Sequence, residues 1–467
     1  MKTNPTTLKI TVAGIRGRMG ESLTPTVALD FAEIFGTINQ GGRIVLGTET
    51  RLSTPAIKAA VIAGLLATGC HIIDIGIVST PTTQLMVKHL KADGGIMITA
   101  SHNPIMWNGL KFISSEGIFF DEAEMQVIFD KYHGLQQLKT KASTVEAITQ
   151  SGLIHYASIE DMGILDTFPS APQVHIDSIL KHVNVDLIRQ AKLNVVVDAC
   201  NGAAAILDPI LFEALGINAI IINSEPNGRF TRGPEPLPEN LGALREAVRK
   251  QGADIGFAQD PDADRLAIVN ELGDPIGEDY TLVLAMQYIL KNHPNPKGKI
   301  VATNLSTTRA FDDVAKQYGA RVVHTKIGEV NVSKALMHPD AIVGGEGNGG
   351  VIIPAIGLGR DSFAGITFIL EYLAKEKCRV TDLVKTVPTY KVVKARKDLS
   401  SPEEIAEALN KTRTFYKGAT MDETDGVKVI FDDAWLHVRA SNTEPIVRYF
   451  AEAKTLEAAQ KLIDPIF

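Results

Sequence analysis

Thr99-Ala100-Ser101-His102-Asn103-Pro104 follows directly on an apolar run that ends at Ile98. A loop at the end of a buried strand can present side chains to a ligand in a cleft. Ser101 lacks the flanking glycines of a nucleophile elbow, so a hydrolase nucleophile is not indicated. A serine hydroxyl is weak without an activating base or a covalent modification. A serine that carries a phosphoryl group is the alternative.

Asp260-Pro261-Asp262-Ala263-Asp264-Arg265 sets three carboxylates at alternate positions. In an extended segment they point the same way and repel one another unless a cation neutralises them. Hard oxygen donors favour Mg²⁺. The rival readings are a solvated acidic turn, a phosphatase aspartyl nucleophile and a calcium loop. Glu271 falls at the last ligand position of an EF-hand. Against that loop, Arg265 stands where glycine is required, Pro261 stiffens the segment, and Leu266–Val269 reads as strand.

Two further loops could bind a phosphorylated sugar. In Gly344-Gly345-Glu346-Gly347-Asn348-Gly349-Gly350, glycines permit close backbone approach, and Glu346 and Asn348 alternate as partners for neighbouring hydroxyls. Arg439-Ala440-Ser441-Asn442-Thr443-Glu444-Pro445, with Arg448 just beyond, gathers donors that suit a phosphate dianion. It lacks the P-loop pattern. Arg16 lies between glycines in Gly14-Ile15-Arg16-Gly17. Lys111, in Asn108-Gly109-Leu110-Lys111-Phe112, could exchange a proton beside metal and phosphate.

The elements that must position these loops follow one pattern three times. A strand, a helix ending at glycine, and a second strand recur at Arg43–Gly47, Pro55–Thr68, His71–Ile75; at Asn194–Asp198, Ala203–Leu215, Ile217–Ile222; and at Lys299–Thr303, Thr307–Tyr318, Ala320–His324. Gly69, Gly216 and Gly319 suit the left-handed position after a helix. Thr54-Pro55 reads as a helix start with Thr54 as cap. Such units imply crossover connections and mostly parallel pairing. The fold class expected is α/β, with three related domains of mixed, mostly parallel sheet. One long doubly wound sheet is the alternative. The C-terminal part reads as a fourth, α+β domain with an antiparallel sheet. Its strands are Val427–Phe431, Trp435–Arg439 and Ile446–Ala453, and its helices Pro402–Lys411 and Thr455–Ile463. Linker candidates are Thr167–Pro172 and Asn292–Pro296, with a loop inside a domain as the alternative for the second. The boundaries expected are 1–168 (serine loop), 169–276 (metal loop), 277–375 (sugar loop) and 376–467 (phosphate loop).

The 467 residues are 45% hydrophobic and 22% charged, with a formal net charge of −7. That length implies several cores, and the acidic balance argues against nucleic acid as a partner. Cys70, Cys200 and Cys378 are too scattered for a metal site or disulfide framework, which fits a reducing cytoplasm. Met1–Ile10 is polar and lacks a signal core, and no apolar run is long enough for a membrane span.

All these motifs, in this order, resemble the α-D-phosphohexomutase superfamily, which includes phosphoglucomutase, phosphomannomutase and phosphoglucosamine mutase. Thr99–Pro104 resembles its phosphoserine loop, Asp260–Arg265 its magnesium loop, Gly345–Gly350 its sugar loop and Arg439–Pro445 its phosphate loop. Gly14–Gly17, Thr325-Lys326-Ile327-Gly328 and Pro236–Leu241 are similar as well. The resemblance implies four domains in a heart-shaped molecule with a central cleft. It implies Ser101 as phosphoryl carrier beside Mg²⁺ on Ser101, Asp260, Asp262 and Asp264, and Lys111 as general acid/base. Arg16, His102 and Arg265 would shape the phosphoryl site. Gly328, Glu346, Asn348, Arg439, Ser441, Asn442, Thr443 and Arg448 would bind substrate. A hexose 1,6-bisphosphate would be intermediate and activator. The partner would be a small hexose phosphate, with no nucleic acid or membrane, in a cytoplasmic monomer or homodimer. The fourth domain would move about a hinge near Lys375–Val380.

Many relatives have serine where this chain has Asn348 and histidine where it has Gly350. Thr443-Glu444-Pro445 leans towards glucosamine enzymes. Asn442 leans away from them, and Val12–Gly17 lacks the Gly-Thr-Asp common in that group. Glucosamine phosphate is the first expectation, with mannose or glucose phosphate as alternatives. A non-catalytic phosphosugar-binding protein is the reading from another class; pure binding would need neither Ser101 nor Lys111.

Overall fold

The structure is a computed structural model that describes residues 8–140, 144–399, 401, 403–441 and 446–467. The chain forms two compact units. One is the described part of Thr6–Gly277 together with Ala355–Val380, and the other holds Glu278–Pro354 and Thr381–Phe467. The segment Lys375–Val380, expected to hold a hinge, thus ends where the chain passes between units.

Four separate sheets replace the single doubly wound sheet kept as an alternative. The first has the order Lys9–Thr11, Gly14–Arg18, Trp107–Ser114, Gly94–Ile98, Arg43–Thr48, His71–Ile77, Ile164–Thr167. The second runs Leu266–Asn270, Ile255–Gln259, Val195–Asp198, Ile220–Ile222, and the third Gly350–Ile352, Ala341–Glu346, Ile300–Asn304, Arg321–Thr325. The second and third are mostly parallel. The first divides evenly, because three antiparallel ladders follow Gly94–Ile98 towards the N-terminal edge. The fourth sheet, Lys391–Asp398, Ile446–Ala453, Trp435–Ala440, Val427–Ile430, Thr420–Asp422, is antiparallel throughout.

The three repeats share more than one crossover. In each, the parallel pair made by the crossover is joined by a further parallel strand, which then turns back into an antiparallel one. Those returning turns are 99–106, 260–265 and 347–349. The serine, aspartate and glycine-rich motifs therefore occupy equivalent positions in three sheets. The helices between the repeated strands end as expected, with Gly69, Gly216 and Gly319 at φ of +82°, +68° and +70°.

Some boundaries move. Thr54 is the first residue of the helix Thr54–Ala67, not its cap, and no side chain caps this end. The Thr54 hydroxyl accepts from Asn108 Nδ2 instead. Of Thr167–Pro172, Thr167 ends an edge strand and Ala171 starts a helix, which leaves three residues between elements. Asn292 closes the helix Glu278–Asn292, so Asn292–Pro296 is a loop inside one unit. Pro402 lies outside the described residues; the helix observed there is Glu403–Phe415. The strands Lys391–Asp398 and Thr420–Asp422 were not anticipated. The first reads Lys-Val-Val-Lys-Ala-Arg-Lys-Asp, and its charges suit an exposed sheet edge.

The core of the first unit centres on Phe31, Phe35, Phe112 and Phe120, whose rings stack or tilt at 5.2–6.4 Å between centroids. Phe112 belongs to the strand that carries Lys111. Consecutive strand residues point to opposite faces, so burying Phe112 directs Lys111 to the other side. Among the described residues no helix is long and apolar enough to cross a membrane.

Candidate active site

Gly94–Ile98 is buried along its length and delivers Ser101 into a tight turn with φ of +49°. Left-handed backbone is costly for an L-residue other than glycine, so something must hold it there. Two groups do. The Ser101 N–H donates to Thr99 Oγ1 at 2.8 Å. Arg51 spans the loop from beneath, donating to the carbonyls of Ser101 (2.6 Å), Asn103 (2.7 Å) and Pro104 (2.7 Å). The Arg51 side chain is fully buried, pairs with Glu49 at 3.1 Å and lies over the ring of Phe230. Ser101 is 2% exposed, and its hydroxyl turns inward to Asp260 Oδ2 at 3.2 Å and His102 Nδ1 at 3.3 Å.

The three aspartates converge, but not through an extended segment. They occupy a turn between antiparallel strands in which Ala263 takes φ of +53°. The N–H groups of Asp264 and Arg265 both donate to Asp260 Oδ1 at 3.1 Å. This closed turn, with Leu266–Asn270 as strand directly after it, disposes of the EF-hand reading. One ligand atom from each aspartate lies within 4.8 Å of the others, and all three residues are fully buried.

Cations surround them. Lys111 Nζ contacts Asp262 Oδ2 at 2.7 Å and Asp264 Oδ2 at 3.2 Å. Arg360 reaches Asp264 Oδ2 at 2.7 Å, and the Thr80 hydroxyl donates to Asp262 Oδ2 at 2.6 Å. Burial works against ionisation of Asp264, but Arg360, Lys111 and Arg265 outweigh it and hold the carboxyl below the usual range. Asp260 goes the other way: burial and its two acidic neighbours raise its carboxyl well above the usual range. Asp262 Oδ1 and Asp264 Oδ1 are buried and accept no hydrogen bond. Buried anionic oxygens without donors are costly. This donor set fits a hard divalent cation held by Asp260, Asp262 and Asp264.

Arg16 donates to Asn103 Oδ1 at 3.0 Å. Arg265 pairs with Glu235 at 2.7 Å, and His102 Nε2 lies 4.0 Å from the same carboxylate. Burial, then the charges of Arg265 and Arg16, hold the His102 imidazole well below its ordinary value. Ser101, His102, Lys111, Arg16, Arg265 and the three aspartates therefore form one cluster.

The other expected residues gather in the second unit. Glu346 ends the strand Ala341–Glu346, and its Oε1 accepts from Asn304 Nδ2 at 2.9 Å and the Gly328 N–H at 3.2 Å. Asn348 Nδ2 lies 3.5 Å from Glu346 Oε2. Gly345 has φ of +152°, and a Cβ there would strike the Gly350 carbonyl, so the loop requires glycine. Arg439 pairs with Asp425 at 3.2 Å and stands opposite Arg448 on the next strand. The Ser441 N–H closes its loop onto the Ile446 carbonyl at 2.9 Å. Asn442 and Thr443 lie outside the described residues.

Four models describe successive parts of the phosphoglucomutase/phosphomannomutase fold, and this chain matches each in turn. Alpha/beta/alpha domain I matches residues 8–139, domain II 173–273, domain III 277–390 and the C-terminal domain 377–467. The chain belongs to the phosphoglucomutase/phosphomannomutase family. It is an isomerase, a phosphohexomutase. A phosphoglucomutase/phosphomannomutase of Thermococcus kodakarensis is 38% identical over 457 residues, 97% of this chain and 96% of its own. A protein of Methanopyrus kandleri named "Probable phosphoglucosamine mutase" is 37% identical over 459 residues, 97% of this chain and 95% of its own. A phosphoglucomutase/phosphomannomutase family protein of Burkholderia thailandensis shares the fold with a TM-score of 0.82, at 24% identity over 99% of this chain and 96% of that one.

Sequence reasoning missed Arg51, Thr80, Glu235, Arg360 and Asp425. Each lies outside the recognised motifs and reaches the sites through tertiary contact. Glu49-Thr50-Arg51 was the available signal, since charged residues there follow directly on the largely buried strand Arg43–Thr48. Arg51→Lys keeps a charge for Glu49 but cannot span three carbonyls, because an ammonium lacks the planar fork. The expected result is a drop in kcat of about 10²-fold from a displaced Ser101, measured by steady-state kinetics. An unchanged kcat would show that the loop holds itself.

Proposed function

We propose that this phosphohexomutase moves a phosphoryl group between the 1- and 6-positions of a hexose phosphate through phosphorylated Ser101. The carrying observation is the inward-facing Ser101 hydroxyl, 3.2 Å from Asp260 in a buried triad whose other two members, Asp262 and Asp264, pair with Lys111. Asp260, Asp262 and Asp264, with an oxygen of Ser101, would hold Mg²⁺, which supplies charge neutralisation for the transferring group.

The protein's own task is positioning and charge stabilisation, because phosphoryl transfer needs little covalent help. The free hydroxyl of the sugar attacks phosphorus as the bond to Ser101 Oγ breaks. The Lys111 ammonium gives a proton to Ser101 Oγ as that oxygen leaves and takes up the proton of the sugar hydroxyl, ending as it began. Arg16, Arg265 and neutral His102 brace the phosphoryl oxygens. The product is a hexose 1,6-bisphosphate, which turns around and returns its other phosphate to Ser101. Glu346, Asn348 and Gly328 bind the sugar in either orientation. Arg439, Ser441, Asn442, Thr443 and Arg448 hold the phosphate that is not reacting.

Glucosamine phosphate is the proposed substrate, on the motif Thr443-Glu444-Pro445 and the name of the Methanopyrus relative. The Thermococcus relative carries the other name. Comparison of kcat/KM for glucosamine, mannose and glucose phosphates decides, since specificity is that ratio. The glucosamine value should be at least about 10-fold the others, a difference one extra polar contact supplies. A value at or below the others overturns the assignment.

A further inference from the structure

Asp425 belongs to the turn between the strands Thr420–Asp422 and Val427–Ile430, where Gly426 takes φ of +81°. Its carboxylate is divided between two partners. Oδ1 accepts from Arg439 Nε at 3.2 Å, and Oδ2 from the backbone N–H of Ile327 at 2.9 Å. The next amide along the chain, Gly328 N–H, donates to Glu346 Oε1. One carboxylate therefore connects the arginine of the phosphate loop to the turn that braces the glutamate of the sugar loop.

His437 fixes the carboxylate's own backbone. Its Nε2 meets the Asp425 carbonyl at 2.6 Å and its Nδ1 meets Ser306 Oγ at 2.8 Å. A carbonyl only accepts, so Nε2 carries the proton and Nδ1 accepts from Ser306. Burial, against the pull of that carbonyl bond, holds this imidazole down at about 4, so the pattern persists at neutral pH. Arg439 is nearly enclosed, with a side chain 6% exposed. Engaging Nε fixes the plane of a guanidinium and hence the direction of its terminal nitrogens.

We propose that Asp425 is a positioning residue for substrate phosphate, setting the plane of Arg439 and coupling it through Ile327-Gly328 to Glu346. The proposal rests on the reading of Arg439 as a phosphate anchor. The sugar and phosphate contacts then form together rather than independently. An amide at 425 has one acceptor oxygen and cannot serve both Arg439 and Ile327.

The test uses the full-length enzyme and glucose, mannose and glucosamine phosphates as probes. Steady-state constants and melting temperatures are measured for wild type, Asp425→Asn, Arg439→Lys and the double variant. Asp425→Asn should raise KM about 10-fold on the best substrate with kcat changed less than about 3-fold, the mark of lost uniform binding. The double variant should be no worse than the poorer single variant, because both act on one contact. A KM unchanged in Asp425→Asn while Arg439→Lys raises it overturns the positioning role alone. Additive losses do the same, since they show two independent effects. A KM unchanged in Arg439→Lys overturns the phosphate-anchor reading and the proposal with it.

Discussion

Ser101→Ala should abolish both phosphorylation and turnover while leaving the fold intact. Wild-type protein primed with a hexose 1,6-bisphosphate should gain about 80 Da by intact mass spectrometry, one phosphoryl unit, and Ser101→Ala should gain nothing. Turnover should fall by at least about 10⁴-fold, the scale seen when a covalent nucleophile is removed. The geometry separates this from misfolding. Ser101 sits at φ of +49°, and its loop is held by backbone and Arg51 bonds that alanine keeps. Alanine in left-handed backbone costs what serine does, about 1–2 kcal/mol, so only the hydroxyl's bond to Asp260 is lost and the melting temperature should fall by no more than about 4 °C. Ser101→Gly removes that strain and should melt no lower than Ser101→Ala. Wild-type protein that neither gains the mass nor isomerises any hexose phosphate would end the phosphoserine mechanism.

Asp260→Asn should separate metal binding from stability. Three buried carboxylates within 4.8 Å repel one another unless a cation joins them. Asparagine has the same shape. Its carbonyl oxygen can accept from the Asp264 and Arg265 N–H groups, which now donate to Oδ1, and the Ser101 hydroxyl can accept from its amide. In the presence of chelator the variant should melt no lower than wild type, because the buried carboxyl whose ionisation its acidic neighbours oppose is gone. Wild type should gain stability with Mg²⁺ as RT ln(1 + [L]/Kd), about 2.7 kcal/mol at a hundredfold excess over Kd. The variant should gain far less, and its kcat/KM should fall by about 10³-fold, the effect of losing a key electrostatic stabiliser. Chelation of wild type should abolish turnover and added Mg²⁺ restore it. A variant with undiminished Mg²⁺ stabilisation would exclude this triad as the metal site.

Much of the arrangement was legible because it is written in local chemistry. Helix–glycine–strand punctuation located three crossovers, since a glycine at positive φ is a local requirement. The residue types of Ser101, the three aspartates and the Arg439 loop named their own chemistry. The returning turns then fell at equivalent places in three sheets, so the repeat and the motifs were two views of one feature. Convergence of the aspartates was anticipated for the wrong reason. Alternation in an extended segment was assumed, whereas a turn at Ala263 with two N–H groups on Asp260 makes the cluster.

Spacing and residue type along the chain carry the set of candidate site residues, the order of the elements that bear them and the family to which the chain belongs. The tertiary structure alone decided how those groups are held. Arg51 reaches the serine loop across 50 positions, Arg360 reaches Asp264 across 96, and Asp425 reaches Ile327 across 98. The reason is physical. A motif records side chains that must face a ligand, and their spacing is fixed by local backbone geometry. A supporting arginine or carboxylate need only arrive at the correct point in space, and packing of distant segments sets that point, with no trace in spacing along the chain.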